Sequence, residues 1–151
     1  MEIKAGILVL IENYLLDTCV LSEYIRKQPE MKVIQWLDLQ LENSLFISVI
    51  SIGELKKGIV KIESSQPQKS KRLNKWLDSL IERFKTRIIT LNSQILIQWG
   101  DLCGNSEKSG RKLPVIDSLI ASTAIANQLT LVTRNEKDFN DINVSLYNPW
   151  N

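Results

Sequence analysis

The chain has 151 residues, of which 44% are hydrophobic and 24% are charged, with a formal net charge of +2. This length and composition indicate a single domain with a substantial core, and the near balance of charge excludes a histone-like or tail-driven nucleic-acid binder. The chain contains no histidine, which excludes Ser-His-Asp and Cys-His catalysis and HExxH zinc sites. Any hydrolysis must therefore depend on carboxylates, lysines, hydroxyls or a metal held by oxygen ligands.

The N-terminal segment contains an apolar run over residues 6–11. This run is too short to span a membrane, and it lacks the basic region and cleavage site of a signal peptide. It is either an edge strand or an extension, and we favour an extension of residues 1–13 ahead of a domain formed by residues 14–151. Cys19 and Cys103 lack CxxC spacing. We therefore expect reduced cysteines in a cytoplasmic protein, rather than one disulfide, with no membrane association.

Strand-like and helix-like segments alternate along the rest of the chain. The patterns predict strands over 14–16, 45–50, 87–91, 129–133 and 144–146. They predict helices over 18–27, from Pro29 to about 41, over 51–62 and 69–84, from Asn92 to about 103, and from Pro114 to about 126. Segment 104–112 is polar and predicted to be a loop. The alternation indicates an α/β fold, a single domain with a five-stranded parallel sheet covered by helices on both faces.

Three of these helices carry specific expectations about their faces. In the second helix the apolar stripe is expected to run from Val33 to Leu41. The helix over 69–84 is expected to bury Leu73, Leu77, Leu80 and Phe84 and to expose a basic face of Lys69, Lys71, Arg72 and Lys75. The helix that follows Asn92 is expected to turn inward Leu96, Trp99 and Leu102.

Four acids fall near one edge of the predicted sheet. Binding sites in an open parallel sheet lie beyond the carboxyl ends of its strands. Asp17 directly follows the first strand, and Glu54 lies about one turn into the helix after the second strand. Asp117 begins the helix that leads to the fourth strand, and Asp138 follows that strand. These four carboxyl groups are therefore expected to meet.

Each acid also has an ordinary structural explanation. Asp17 is a good helix N-cap, and Glu54 is a good helix former on a solvated face. Asp117 suits the positive end of a helix dipole, and Asp138 suits a surface turn. The joint pattern favours function over these separate explanations, because no lysine or arginine is embedded in the apolar stripes to pair with the acids.

A cluster of acids without such partners indicates a metal site. Neighbouring carboxylates raise each other's pKa unless a cation intervenes, and an all-oxygen site suits Mg²⁺ or Mn²⁺. Such a site can activate water and stabilise a phosphoryl group, so we expect a phosphodiester substrate. Cations near the acids are candidates to guide its phosphates. They are Lys56, Lys57, Lys61, Arg111, Lys112 and Arg134.

Four segments resemble, in order, those of PIN-domain ribonucleases, in particular VapC-type toxins of bacterial toxin–antitoxin modules, including the FitB-like branch. The segments are YLLDTCVLSEY, ISVISIGELKKGI, LPVIDSLIASTAIANQLTLVTRNEKDF and VSLYNPW. The resemblance covers residues 14–150, whereas residues 1–13 depart from the family pattern. It implies a five-stranded parallel sheet between helices, and endonucleolytic cleavage of RNA by metal-activated water.

The resemblance also implies roles for individual residues and partners. One or two Mg²⁺ or Mn²⁺ ions would bind acids corresponding to Asp17, Glu54, Asp117 and Asp138. Hydrogen bonds would support these acids from Thr18, Thr133 and Asn135. A protein of this kind usually forms a homodimer and is silenced by a cognate antitoxin. Operator DNA would be contacted only indirectly, through the antitoxin.

Two other functions stay open from the sequence. The chain could be a non-catalytic module that binds RNA or a protein, with the acids in structural roles. It could also be a phosphatase in which Asp17 attacks phosphate directly. Such phosphatases use a second acid two residues later, where this chain has Cys19, so the phosphatase is the weaker alternative.

Overall fold

The computed structural model describes residues 12–151 and the backbone of two short strands before them. These strands, β1 (Glu2–Lys4) and β2 (Ile7–Val9), pair antiparallel in a two-stranded sheet of their own. Residues 6, 10 and 11 of the predicted apolar run lie outside the described residues. We retain as a proposal that residues 1–13 extend a domain formed by residues 14–151.

The central sheet has five parallel strands, in the order β5-β4-β3-β6-β7. They are β3 (Tyr14–Leu16), β4 (Leu45–Ser48), β5 (Ile88–Ile89), β6 (Thr130–Val132) and β7 (Leu146–Tyr147). Six helices connect them: α1 (Thr18–Glu23), α2 (Met31–Leu39), α3 (Val49–Lys61), α4 (Pro67–Arg83), α5 (Ser93–Lys108) and α6 (Val115–Ala126). Short 3₁₀ turns cover Glu42–Ser44 and Glu136–Phe139. The predicted α/β architecture is confirmed.

Side chains that alternate along the strands bury both faces of the sheet. Leu16 and Val132 lie in one apolar cluster, packed with residues of α1 to α4. Their neighbours Leu15 and Leu131 lie in a second cluster on the opposite face, packed with α6 and with half-buried residues of α5. This two-sided burial explains why the strands are almost continuously apolar, which is typical of parallel sheets.

Several predicted boundaries are wrong by a few residues because side chains cap helices earlier than the hydrophobic pattern indicates. Ser48 ends β4 and begins α3, since its hydroxyl accepts a hydrogen bond from the backbone N–H of Ile50. The predicted helix over 18–27 ends at Glu23, whose buried carboxylate accepts a hydrogen bond from the backbone N–H of Glu30 at 2.9 Å. Glu30 then caps α2, so that Pro29 precedes this helix instead of starting it.

Two other predictions about helices are wrong. The polar segment 104–112 is helical up to Lys108, because polar side chains on an exposed face satisfy a helix as well as a loop. In the same helix the prediction is wrong for Leu96, which is 44% exposed, whereas its neighbour Ile95 is 1% exposed. Trp99 and Leu102 are half-buried, as predicted. Leu41 lies beyond the end of α2 and is 66% exposed.

The other predicted features of the helices agree with the structure. Asn92 caps α5, its side-chain oxygen accepting from the N–H of Ile95 at 2.9 Å. In α4, Leu73 is half-buried, and Leu77, Leu80 and the capping Phe84 are buried.

Both cysteines are free thiols. Across the part of the chain that the structure describes, no helix is apolar over a length that would cross a membrane.

A buried arginine joins the end of α4 to the start of β4. The guanidinium of Arg87 donates to the backbone oxygens of Glu42 and Leu45 at 2.7 Å and of Arg83 at 2.8 Å. It also donates to the carboxylate of Glu42 at 3.0 Å, and Arg83 binds the same carboxylate from the other side. These bonds, with Arg83 contributing most, hold the pKa of Glu42 below its usual range.

Replacement of this arginine is expected to weaken the fold. Arg87→Met leaves three backbone carbonyl groups without their charged donor, which we expect to lower the free energy of unfolding by about 3 kcal/mol. Arg83→Met is the matched control, because Arg83 is 41% exposed and an exposed pair contributes at most about 1 kcal/mol. Urea unfolding followed by tryptophan fluorescence measures both, and equal small losses would contradict the assigned role of Arg87.

Candidate active site

The carboxyl ends of the strands bring together acids that are distant in sequence. Asp17 follows β3 directly, and its backbone N–H donates to the oxygen of Val132 in β6 at 3.0 Å. Asp138 lies in the 3₁₀ turn that follows β6. Glu54 lies in the second turn of α3, after β4. Asp117 lies in the first turn of α6, which leads into β6.

The carboxyl group of Asp17 is buried, with 7% of the residue exposed, and it is held by two donors. Its Oδ1 accepts from the backbone N–H of Thr18, and its Oδ2 accepts from the hydroxyl of Thr133, both at 2.8 Å. The N-cap role that its sequence position allowed is therefore real. Burial nevertheless raises the pKa of Asp17, and the charge on Asp138 adds to this rise. The hydrogen bonds from Thr133 and Thr18, together with a longer one from the Cys19 thiol, oppose it.

The hydroxyl group of Thr18 links Glu54 to the N-terminus of α1, the helix that Asp17 caps. The hydroxyl oxygen of Thr18 lies 3.2 Å from Oε1 of Glu54 and 3.1 Å from the hydroxyl oxygen of Ser51. The single proton of Thr18 is donated to one of these two acceptors at a time. This contact joins α1 to α3 and turns the half-buried Glu54 side chain towards Asp17.

The charge on each of the other three acids acts on Asp117. Asp117 is half-buried, and burial is the largest cause that raises its pKa. The charges on Asp138, Asp17 and Glu54 raise the pKa further, in that order. Each of the three other carboxyl groups is therefore close enough to Asp117 for its charge to act there.

Among residues 12–151 none of these four acids forms an ion pair with lysine or arginine. The ion pairs found there join Arg26 to Glu23, Arg83 and Arg87 to Glu42, and Arg111 to Asp141. Within the same described residues, no three Asp, Glu, Cys or His side chains converge as a preformed set of metal ligands. Mg²⁺ needs only one or two carboxylates from the protein, since it keeps several waters.

A model of the PIN domain matches residues 14–144. The chain belongs to the PIN-domain family. The chain is 32% identical to ribonuclease VapC2 of Rickettsia felis, over 91% of this chain and 97% of that protein. It is 30% identical to toxin FitB of Neisseria gonorrhoeae, over 90% of this chain and 97% of that protein. The crystal structure of VapBC2 from Rickettsia felis, bound to a DNA fragment from its promoter, superimposes with a TM-score of 0.73 at 32% identity, covering 89% of this chain and 97% of that chain.

The residues expected to support the acids of this PIN domain take different positions. Thr18 and Thr133 contact the acids directly, as described above. Asn135 acts one step further away, because its backbone N–H donates to the hydroxyl of Thr133 at 3.0 Å. Its N–H thus occupies one lone pair of Thr133 and leaves the threonine proton for Asp17.

The expected RNA-contacting residues of the PIN domain differ in their contacts. Lys56 donates to the side-chain oxygen of Asn74 at 2.6 Å. Lys57, Lys61 and Lys112 are exposed. Arg111 forms its ion pair with Asp141, and the guanidinium of Arg134 lies 5.5 Å from the centre of the Trp150 ring. Arg134 is thereby held beside the loop that carries Asp138.

Two residues of this site were not predicted from the sequence. Ser51 lies one turn before Glu54 on α3 and contacts Thr18, a signal that helical spacing alone could have given. The Cys19 sulfur lies 3.8 Å from both Oδ2 of Asp17 and the hydroxyl of Thr133. Burial and the charge on Asp17 raise the pKa of the Cys19 thiol, so it stays protonated next to the carboxylate.

Removal of one charge from this site is expected to stabilise the metal-free PIN domain. Asp117→Asn keeps the shape of the side chain and removes its repulsion with three neighbouring carboxylates. We expect the free energy of unfolding to rise by about 1 kcal/mol at pH 7 in the presence of EDTA. The matched control is Asp101→Asn, at an exposed position of α5, which should change stability by less than about 0.5 kcal/mol. A loss of stability in Asp117→Asn would contradict the repulsion.

Proposed function

We propose that this PIN domain is a metal-dependent endoribonuclease that acts as the toxin of a toxin–antitoxin module. The observation that carries the proposal is the placement of four acids by the elements at the carboxyl edge of the sheet. Over residues 12–151 none of them has a cationic partner, and three of them raise the pKa of Asp117. Two relatives, one a ribonuclease and the other a toxin, agree with it. The cytoplasm, where RNA substrates are found, is the proposed place of action.

The donors at this site fit a divalent cation. All four side chains offer oxygen, which Mg²⁺ and Mn²⁺ prefer, and hydrogen bonds compensate the buried charge of Asp17 only in part. We propose that Mg²⁺ or Mn²⁺ is held by Asp17, Glu54, Asp117 and Asp138, directly or through water. When bound, such an ion supplies positive charge that activates water and stabilises a phosphoryl group under attack.

The other residues of the site fix the acids in place. The Thr18 N–H and the Thr133 hydroxyl hold both oxygens of Asp17, so this carboxylate keeps one orientation. The Thr18 hydroxyl restrains Glu54. Rigid acids lose little entropy when a cation and a phosphodiester bind between them. We propose that Lys56, Lys57, Arg111, Lys112 and Arg134 attract the RNA backbone to this edge.

The proposed partners follow from the solved complex and from the surface. VapBC2 of Rickettsia felis was crystallised on promoter DNA, and we propose that this chain likewise binds an antitoxin, through which it contacts operator DNA. We also propose a homodimer. Large apolar side chains are exposed on neighbouring helices α5 and α6, a feature typical of association surfaces. They are Leu96, Ile97, Val115 and Ile116.

The decisive variant for the nuclease is Asp117→Asn, which removes one acid without creating a cavity. We expect it to lower the rate of RNA cleavage at least about 100-fold, because loss of a group that only supports a metal ligand already lowers activity 10- to 100-fold. Cleavage of a fluorescent RNA in Mg²⁺ buffer measures the rate, with Asp101→Asn as the control that should cut like the parent.

The same assay separates the alternative functions. Equal cleavage by the parent and by Asp117→Asn would contradict a nuclease site at these acids. If the parent binds RNA and never cuts it, the chain is a binding module. A phosphatase would transfer phosphate to Asp17 and give a phosphorylated protein, which mass spectrometry of the intact chain would detect.

Binding of the metal can be tested without any measure of activity. Mg²⁺ at ten times its Kd should stabilise the parent by about 1.4 kcal/mol, a rise of about 3–6 °C in Tm for a chain of this size. Asp17→Asn and Asp117→Asn should show less than half of this rise in a thermal scan that follows tryptophan fluorescence. An equal rise in the parent and in both variants would mean that Mg²⁺ binds elsewhere.

A further inference from the structure

The basic face predicted for α4 belongs to a concentrated region of positive charge. Residues 56–75 contain seven lysines and arginines and one glutamate, a net charge of +6 in a chain whose total is +2. The rest of the chain is therefore net negative, at −4. A charge asymmetry of this size within a nearly neutral domain indicates a surface for a polyanion.

This region borders a cleft between α1, α3 and α4, with a volume of about 900 Å³. Its floor is apolar and half-buried, formed by Ile25, Ile62 and Leu73. Arginines and lysines stand at its rim, and no acidic residue lines it. The rim residues are Arg26, Lys27, Lys69 and Arg72.

Three of the four rim cations are available to a ligand. Arg26 is bound to the buried carboxylate of Glu23 at 2.8 Å. Over residues 12–151, Lys27, Lys69 and Arg72 take part in no ion pair, and all three side chains are exposed. Their charge is therefore not compensated by the protein.

The cleft begins one helical turn from the carboxylate site. Ser22, in its wall, lies four residues after Thr18 and donates its hydroxyl proton to the Thr18 backbone oxygen at 3.0 Å. Gly58, also in its wall, lies four residues after Glu54 on α3. One turn of helix is about 5.4 Å. A ligand that extends from the acids along α1 and α3 therefore reaches the cleft within one turn.

We propose that this cleft holds the RNA strand next to the phosphodiester that is cut, with Lys27, Lys69 and Arg72 on its phosphates and a base against Ile25, Ile62 and Leu73. The inference rests on the proposed ribonuclease function and adds the path of the substrate to it. A strand that crosses four carboxylates is repelled by them. Cations at the rim of the adjoining cleft, over a floor that accepts the flat face of a base, compensate for this repulsion.

An equal removal of charge on two faces of α4 tests the phosphate contacts. The cleft pair is Lys69→Gln with Arg72→Gln, and the control pair is Lys71→Gln with Lys75→Gln, two exposed residues of the same helix that do not line the cleft. Each pair is placed in the full-length Asp117→Asn chain, and its affinity for a fluorescent single-stranded RNA of about 15 nucleotides is measured by anisotropy over a range of salt.

The two pairs should differ in both affinity and salt dependence. The cleft pair should weaken binding at least about tenfold and reduce the slope of log K against log salt by about 1.4, the value for two lost contacts to single-stranded nucleic acid. The control pair should weaken binding less than about threefold, through the general field alone. Equal losses of RNA affinity in the two pairs would overturn the proposed path of the RNA. The proposed nuclease function would still be supported if the parent cleaves RNA.

A steric test fills the cleft without disturbing the fold. A Cβ atom added at Gly58 meets nothing within 4 Å, and the same is true of Gly104 on α5. Replacement of a helical glycine by leucine raises helix propensity, so both Gly58→Leu and Gly104→Leu should fold. Gly58→Leu should weaken RNA binding at least about fivefold, and Gly104→Leu should leave it unchanged.

The outcomes separate the path of the RNA from the function on which it depends. If Gly58→Leu binds RNA as the parent does, the cleft lies off the path and is left to a segment of a protein partner, which overturns the proposal. If the parent neither binds nor cuts RNA, the proposed function itself fails. Selective loss in the cleft pair and in Gly58→Leu, with both controls intact, supports the proposal.

Discussion

Mutual repulsion among carboxyl groups governs the structure at the carboxyl edge of the sheet. Asp17 is buried there against the preference of its charged form for water, and donors from Thr18 and Thr133 compensate only in part, since its pKa remains raised. Asp117 has its pKa raised by burial and then by its three acidic neighbours. The fold tolerates this repulsion because each acid is attached to a different rigid element, and the strain lies where a cation would relieve it.

The parallel sheet is what makes such a meeting of acids possible. In parallel strands the carboxyl ends reach one edge, so segments more than 100 residues apart in sequence become neighbours. The hydrogen bond from the Asp17 N–H to the backbone oxygen of Val132 fixes Asp17 against β6, the strand that precedes Asp138. Burial of both faces of the sheet, with Leu15 and Leu16 on opposite sides, holds this edge in register.

The sequence predicts the features that depend on local pattern, and it fails where tertiary contacts decide. The parallel sheet follows from the alternation of strands and helices. The four acids could be found because Asp17, Glu54 and Asp138 follow predicted strands and Asp117 begins the helix that leads to one. Helix α1 ends early, at Glu23, where the carboxylate of Glu23 accepts from the Glu30 N–H, a contact that no periodicity reveals. The helical state of 104–108 was missed because an exposed helix face and a loop have the same composition. The cleft was missed because its walls come from three helices, and the sequence of one segment does not predict how it packs against the others.

The double role of Asp17 has a consequence for inactive forms of this chain. One carboxylate caps α1 and also contributes to the acidic site. Asparagine caps helices as well as aspartate does, so its amide oxygen can keep the bond from the Thr18 N–H. Its amide nitrogen only donates, so the Thr133 hydroxyl must turn to accept instead of donate. The single substitution Asp17→Asn would thus give an inactive chain with an unaltered surface shape. Such an inactive chain would still bind any inhibitor that recognises the surface shape. It would therefore compete for that inhibitor and leave active chains in the same cell uninhibited.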